Sequence, residues 1–398
     1  MQWLRGLKDR DFVALLQKVM PFRWTRRTTV THKSCSMALM AMSFTIGFFA
    51  VRLNAQATTL PARSMPTSLP TSAPALTYCV IPIRGYIGLD VTAELLKRAL
   101  VVAKSLKVGM VILQIDSPGG LVAEKEAILE VLGEYRDIRV VAFVHNAGSA
   151  AAVIGMGCKE IVIKNTGAIG ATVVLAGDKA LADDGTAAGK KMLGWFTAKD
   201  RATVEFAGHN PLIVQGMSLP GIVLIITQVD GKPSVVEGKG EKLGKGEKLL
   251  KNSGEILSLT GKEAVACGLA IGTGDTVREC LAVLGADKFI EAKLASSHAK
   301  AIFDQQAKAI QRAIIAYNAA LDESKGAIAV FWSNRYRDSS RKAIAPLKTV
   351  EKSLSLAIVL AKRYPVLVDQ GTMSSPEELK LGLDKWVALR KRLEAGAR

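Results

Sequence analysis

Between Tyr78 and Asn165, apolar runs of strand length alternate with amphipathic runs of helix length, and this alternation constrains the fold more than any other feature of the chain. "YCVIPIRGYI" reads as a strand, "VTAELLKRALVVAKSLK" as a helix, and "GMVILQIDS" as a buried strand ending in "PGG". "LVAEKEAILEVLGEY" is a second helix, "RVVAFVHN" a third strand, Ser149 to Met156 a short helix of small residues, and "EIVIKN" a fourth strand. Strands separated by helices predict an α/β fold, a parallel sheet covered on both faces. In such sheets chemistry gathers at the carboxyl ends of the strands.

The flanks differ in character. The formal net charge is +17, but it is unevenly spread: residues 1–57 hold 9 Lys/Arg against 2 Asp/Glu, residues 58–286 hold 24 against 22, and residues 287–398 hold 20 against 12. The middle is nearly neutral, which argues against nucleic acid as a partner. A basic stretch with Arg23, Arg26, Arg27 and Lys33 precedes an uncharged run of 15 residues, Met37 to Val51. That pattern predicts a signal peptide, with Ala55-Gln56-Ala57 as a cleavage site, or an uncleaved signal anchor. Either places the bulk of the chain in a periplasmic or extracytoplasmic compartment or holds it at the membrane. Residues 58–77, rich in Pro, Ser and Thr, read as an extended linker. From about residue 287 apolar residues recur at helical spacing, so 287–398 is expected to be all helical. Within it Ser375, Pro376 and Glu378 form a helix-start signature. "NPLIVQGMSLPGIVLIITQV" has the length of a membrane span but is broken by Gly216, Pro220 and Gly221, and reads as a buried helix end and strand.

The cysteines and the four histidines show no metal-ligand spacing, so no metal or cofactor is expected. Cys79, Cys158, Cys267 and Cys280 read as buried small side chains, with a Cys267–Cys280 disulfide as the alternative. Two constellations carry chemistry. Asp116-Ser117-Pro118-Gly119-Gly120 follows a strand, and its glycines let the backbone turn tightly and present amide N–H groups. Ser149 follows the next strand and precedes a helix, where first-turn amides and the dipole favour an oxyanion. Ser149 is therefore either a helix cap or a nucleophile, with donors at the Gly119/Gly120 turn and the Ala150 N–H. His145 closes the strand and is expected to point elsewhere. Lys190 and Lys191 open the helix expected at about 191–207, and one of them is the candidate base.

"VILQIDSPGG", "NAGSAA", "IVIKNTGAIGAT", the stretch from Lys191 to "AGHN" and "LTGKEAVACGLA" together resemble NfeD-type (nodulation efficiency protein D) membrane-associated serine proteases of the ClpP/crotonase superfamily. The resemblance spans about residues 78–286. It implies a spiral of parallel strands and helices with a Ser-Lys dyad: Ser149 as nucleophile, Lys191 as general base, and Gly119, Gly120 and Ala150 as oxyanion donors. It further implies a serine endopeptidase acting on hydrophobic polypeptide segments, a homo-oligomer, and a stomatin-like membrane protein as partner. His209 stands where relatives usually carry Arg, and helices replace the membrane spans and small β-barrel of full-length relatives. A signal-peptide-peptidase-like enzyme, an inactive ClpP-like scaffold and, third, crotonase-type acyl-CoA chemistry are the competing readings.

Overall fold

The computed structural model describes residues 76–176, 179–238, 243–337 and 341–396. The apolar segment expected to be a signal or anchor, and nearly all of the linker, lie outside the described residues. No helix among the described residues is long and apolar enough to cross a membrane.

The alternation read from the sequence is the observed element order. β1 (Thr77–Ile87), α1 (Ala93–Ser105), β2 (Met110–Gly120), α2 (Val122–Glu134), β3 (Arg139–Gly148), α3 (Ala150–Met156) and β4 (Glu160–Gly170) build the centre. The short strands β5 (Leu175–Ala176) and β6 (Lys179–Ala180) lead into α4 (Ala187–Phe206) and α5 (Pro211–Ser218). β7 (Val223–Val229), β8 (Lys232–Gly238) and β9 (Lys248–Lys251) form a separate antiparallel sheet in the order β8-β7-β9. The span-length stretch around Pro220 is thus the helix end α5 and the strand β7, as its breakers dictate. β10 (Ser258–Thr260), α6 (Gly261–Ala266), β11 (Gly272–Thr273), α7 (Val277–Val283) and β12 (Ile290–Glu291) complete this part. The main sheet runs β10-β4-β3-β2-β1-β12, with β11 also on β4, and its four long strands are parallel.

Both faces of that sheet are buried, which explains why its strands are continuous apolar runs. Val111, Leu113 and Ile115 point into one core with α1, α2 and α3, whereas Met110 and Ile112 join Val141, Phe143 and Cys280 on the other face. Pairing slips once in each neighbouring ladder near the carboxyl ends: between Arg84 and Tyr86, Ile115 and Asp116, and Val144 and Asn146. In β4 the slip is largest, since Val144 pairs with Ile163 but Asn146 with Ala168. Gly167 sits in the extra loop because a Cβ there would lie 2.4 Å from the His145 carbonyl oxygen. These aligned irregularities bend the strand ends into a rim, and the rim carries the site.

The C-terminal region is helical, as expected: α8 (Lys293–Arg337), α9 (Arg341–Arg363), α10 (Pro365–Asp369) and α11 (Pro376–Gly396). α8 spans about 68 Å at helical rise. Its first turns bury Ala295, Ala299 and Phe303 in the main core, while Ser296 Oγ accepts from Val80 N–H at 3.1 Å and Gln306 donates to the Leu89 carbonyl. Further along, α8 runs against α9, and α9 against α11, where Arg390 holds Glu351 and Glu394. The Ser375 cap is formed, its hydroxyl accepting from Glu378 N–H at 3.1 Å. All four described cysteines are buried free thiols, Cys267 and Cys280 included.

Candidate active site

Ser149 lies between β3 and α3 in a conformation that serine rarely adopts, φ 50° and ψ −123°. Its side chain makes no capping hydrogen bond, so the helix-cap reading fails. Its own N–H donates to the Gly170 carbonyl at 2.9 Å, which ties the elbow to the end of β4. A positive φ at a non-glycine residue on a strand-to-helix turn is strained, and such strain collects at functional positions. It is also the geometry by which a nucleophile elbow holds a hydroxyl clear of the backbone.

The glycine turn meets this elbow directly. Gly119 has φ +107°, and a Cβ placed on it would lie 2.6 Å from Ser149 Cβ and 3.1 Å from Ala150 N. Only glycine fits there. Gly119, Ser149 and the Ala150 amide are therefore neighbours, and Ala150 N–H, the first of α3, has no partner within its own helix. The Gly119 N–H donates to Ser117 Oγ at 3.1 Å, a residue that is 2% exposed and that no sequence pattern marks. Gly120 faces the other way: a Cβ on it would lie 2.1 Å from the Ile87 carbonyl oxygen, so its α-carbon closes against β1.

Beside the elbow opens a cavity of about 400 Å³ walled by Pro118, Ala147, Gly148, Ala168, Ile169 and Gly170, with Asp116, Asn146 and Ser258 at its polar edge. Asn146 Nδ2 donates to Asp116 Oδ1 at 3.1 Å. The walls are backbone and small side chains from the bent ends of β2, β3 and β4, a lining suited to an extended apolar segment.

His145 belongs to a different network. Gln114 accepts from Arg84 at 2.7 Å, which orients its amide nitrogen to donate to His145 Nε2 at 3.2 Å, and the imidazole stands edge-on to Phe143. Burial first, and Lys164 second, hold its pKa below the ordinary value. With Nε2 occupied as an acceptor, this histidine is not disposed to serve Ser149.

α4 begins earlier than the sequence suggested. Thr186 caps it, accepting from Gly189 N–H at 3.0 Å, so Lys190 and Lys191 are its fourth and fifth residues. Both lysines are solvent-exposed. The first half of the helix carries exposed Met192 and Trp195, and nothing stands within 4 Å of where a Cβ on Gly194 would be. The second half is fixed. Asp200 and Lys125 of α2 form an ion pair with side chains 5% and 3% exposed, and Lys199 bonds Glu126. Burial pushes the Asp200 carboxyl up, and the Lys125 ammonium opposes it. A signal for this pair exists in the sequence: Lys125 falls in register with Ile128 and Val131, and Asp200 with Thr197 and Val204, charged residues inside apolar periods. At the helix end Gly208 turns the chain (φ 92°), His209 Nε2–H donates to the Cys158 carbonyl at 2.8 Å, and Asn210 caps α5. Burial lowers the His209 pKa.

Two further sets of buried polar groups lie outside the cavity lining. Thr172 and Ser218 share a buried hydroxyl–hydroxyl bond of 2.7 Å. Lys251, 2% exposed, spends its three donors on the carbonyls of Pro220, Ile222 and Asn252, which leaves it no proton-accepting role.

Comparison with known proteins gives a family likeness for part of the chain. Residues 77–234 match the model of the NfeD1b N-terminal domain. No curated protein matches the sequence. Among solved structures, the chain is 20% identical to a serine-to-alanine mutant of 1510-N, a membrane-bound stomatin-specific protease, over 53% of this chain and 86% of that one (TM-score 0.39). It is 18% identical to a lysine-to-alanine mutant of 1510-N in complex with a substrate peptide, over 56% and 98% (TM-score 0.40). A membrane protease specific for a stomatin homolog from Pyrococcus horikoshii is 19% identical over 52% and 77% (TM-score 0.35). Residues 77–234 are thus similar to the NfeD1b N-terminal domain.

Proposed function

We propose that this protein is a serine endopeptidase that cleaves hydrophobic polypeptide segments near a membrane, with Ser149 as nucleophile. The observation that carries the reading is the strained elbow at Ser149, uncapped, pressed against Gly119 and adjoining, through Gly148, a cavity with largely apolar walls. In this mechanism the Ser149 hydroxyl attacks the scissile carbonyl, and the oxyanion is met by Ala150 N–H and by Gly119 N–H once it leaves Ser117. Each such donor contributes roughly 3–4 kcal/mol to the transition state. Gly120 supports the turn. Lys191 is the proposed base, acting when substrate covers the exposed start of α4 and excludes water. The substrate class implied by the NfeD resemblance is an apolar segment of a stomatin-like membrane protein.

Exposure of both Lys190 and Lys191 favours a second reading, a non-catalytic scaffold of the same fold. Cleavage of an apolar peptide by the full chain separates the two. The endopeptidase reading expects cleavage by the wild type, loss of at least about 1,000-fold in Ser149→Ala and Lys191→Met, and little change in Lys190→Met. Equal cleavage by wild type and Ser149→Ala would refute it, and a folded wild type without cleavage would favour the scaffold.

A further inference from the structure

The helical C-terminal region has an exposed face that no described element covers. Ser353 Oγ donates to Glu323 at 2.6 Å, which sets α8 and α9 side by side and antiparallel. Between them runs a shallow groove of about 610 Å³ formed by Glu323, Gly326, Ala327 and Val330 of α8 and Ala345, Pro346 and Thr349 of α9, with Glu323 its one carboxylate. Nothing stands within 4 Å of a Cβ on Gly326, so the groove is open. Continuing the antiparallel register along both helices brings Leu356 and Val359 of α9 level with Ile315 and Ala319 of α8. Val330, Leu356, Val359 and Ile315 are 50%, 47%, 60% and 60% exposed.

Charge on this face has one sign along α9. Lys348, Lys352, Lys362 and Arg363 are exposed and fall with Leu356 and Val359 on one stripe of the helix, since all lie at helical spacing from one another. No carboxylate interrupts the stripe: Glu351 is turned aside to Arg390. On α8, Asp322 pairs with Lys325 and Glu323 with Ser353.

We propose that the α8–α9 face docks on a membrane surface bearing anionic lipids, with the aliphatic side chains in the headgroup boundary and the four cations on lipid phosphates. Aliphatic residues bordered by lysine and arginine, on a shallow surface made by two parallel-lying cylinders, fit the plane of a bilayer in shape and in charge. The surface is separate from the Ser149 site and does not depend on the reading of that site.

The test uses the full chain with Val359→Cys in a Cys35→Ser background, labelled with an environment-sensitive fluorophore, because the other four cysteines are buried. The expected result is enhanced emission with vesicles of phosphatidylcholine containing about one-third phosphatidylglycerol, and none with phosphatidylcholine alone. Adding the four changes Lys348→Gln, Lys352→Gln, Lys362→Gln and Arg363→Gln should weaken the response at least about tenfold, as should salt at about 0.5 M. The proposal is overturned if the emission is unchanged while the protein floats with the vesicles, if it rises equally on neutral vesicles, or if the glutamine variant responds like its parent. An acidic protein partner that raises emission where anionic vesicles do not would also overturn it.

Discussion

At the scale of single residues, backbone strain and the missing capping bond set Ser149 apart from an ordinary helix cap. Ser149 was legible as a residue of interest because small residues surround it at a strand end. Its φ of 50° was not, because that follows from the bond to Gly170 and from the packing of Gly119. Removing the strain has a measurable signature. Ser149→Gly should be more stable than Ser149→Ala by about 1 kcal/mol in denaturant unfolding, since glycine adopts the positive φ that costs an L-residue about 1–3 kcal/mol. At a position inside the helix, with an ordinary negative φ, the order would be the reverse. Gly119→Ala should destabilise by more than about 1 kcal/mol, because it adds both a strained φ and a contact with Ser149. His209 provides a pH test. Its folded pKa is lowered by burial, so the unfolded chain binds the proton more readily. Stability is therefore full above the unfolded value near 6.5 and falls as pH drops below it, towards the folded value, by up to about 1.4 kcal/mol per pH unit. His209→Gln, which keeps a donor for the Cys158 carbonyl, should flatten that part of the curve between pH 7.5 and 5.5; an unchanged slope would remove His209 from the account.

At the scale of elements, the four long strands and the helices between them follow from periodicity alone, as do the α5–β7 break at Pro220 and the Ser375 start of α11. The start of α4 was misplaced by about four residues, because "DDGTAAGKK" has no apolar period and Thr186 gives its capping signal only through the chain geometry. The ion pair of Lys125 and Asp200 likewise joins residues far apart in sequence. It fixes the second half of α4, leaving the first half, with Lys191, exposed. Asp200→Ala should cost about 3–5 kcal/mol, because it strands a buried ammonium, whereas Lys125→Met with Asp200→Leu should recover most of the loss. Urea unfolding of both variants checks this. A double variant as unstable as the single one would show that the site needs the charges themselves rather than a filled interior.

At the scale of the whole molecule, the bent strand ends create one rim where a serine elbow, a glycine turn and an apolar cavity coincide, while the C-terminal helices extend from β1 and α1 as a separate structural layer. Their helical nature could be read from the sequence, but the α8–α9 face could not, since it arises only when the two helices lie together. The proposed pairing of Ser149 with a lysine base is open to covalent labelling. The full chain is treated with a serine-reactive fluorophosphonate and the modified residue is located by mass spectrometry. Modification is expected at Ser149, at least about 100-fold slower in Lys191→Met and nearly unchanged in Lys190→Met. An unmodified Ser149 in the folded protein, or labelling there at the same rate without Lys191, would contradict that pairing.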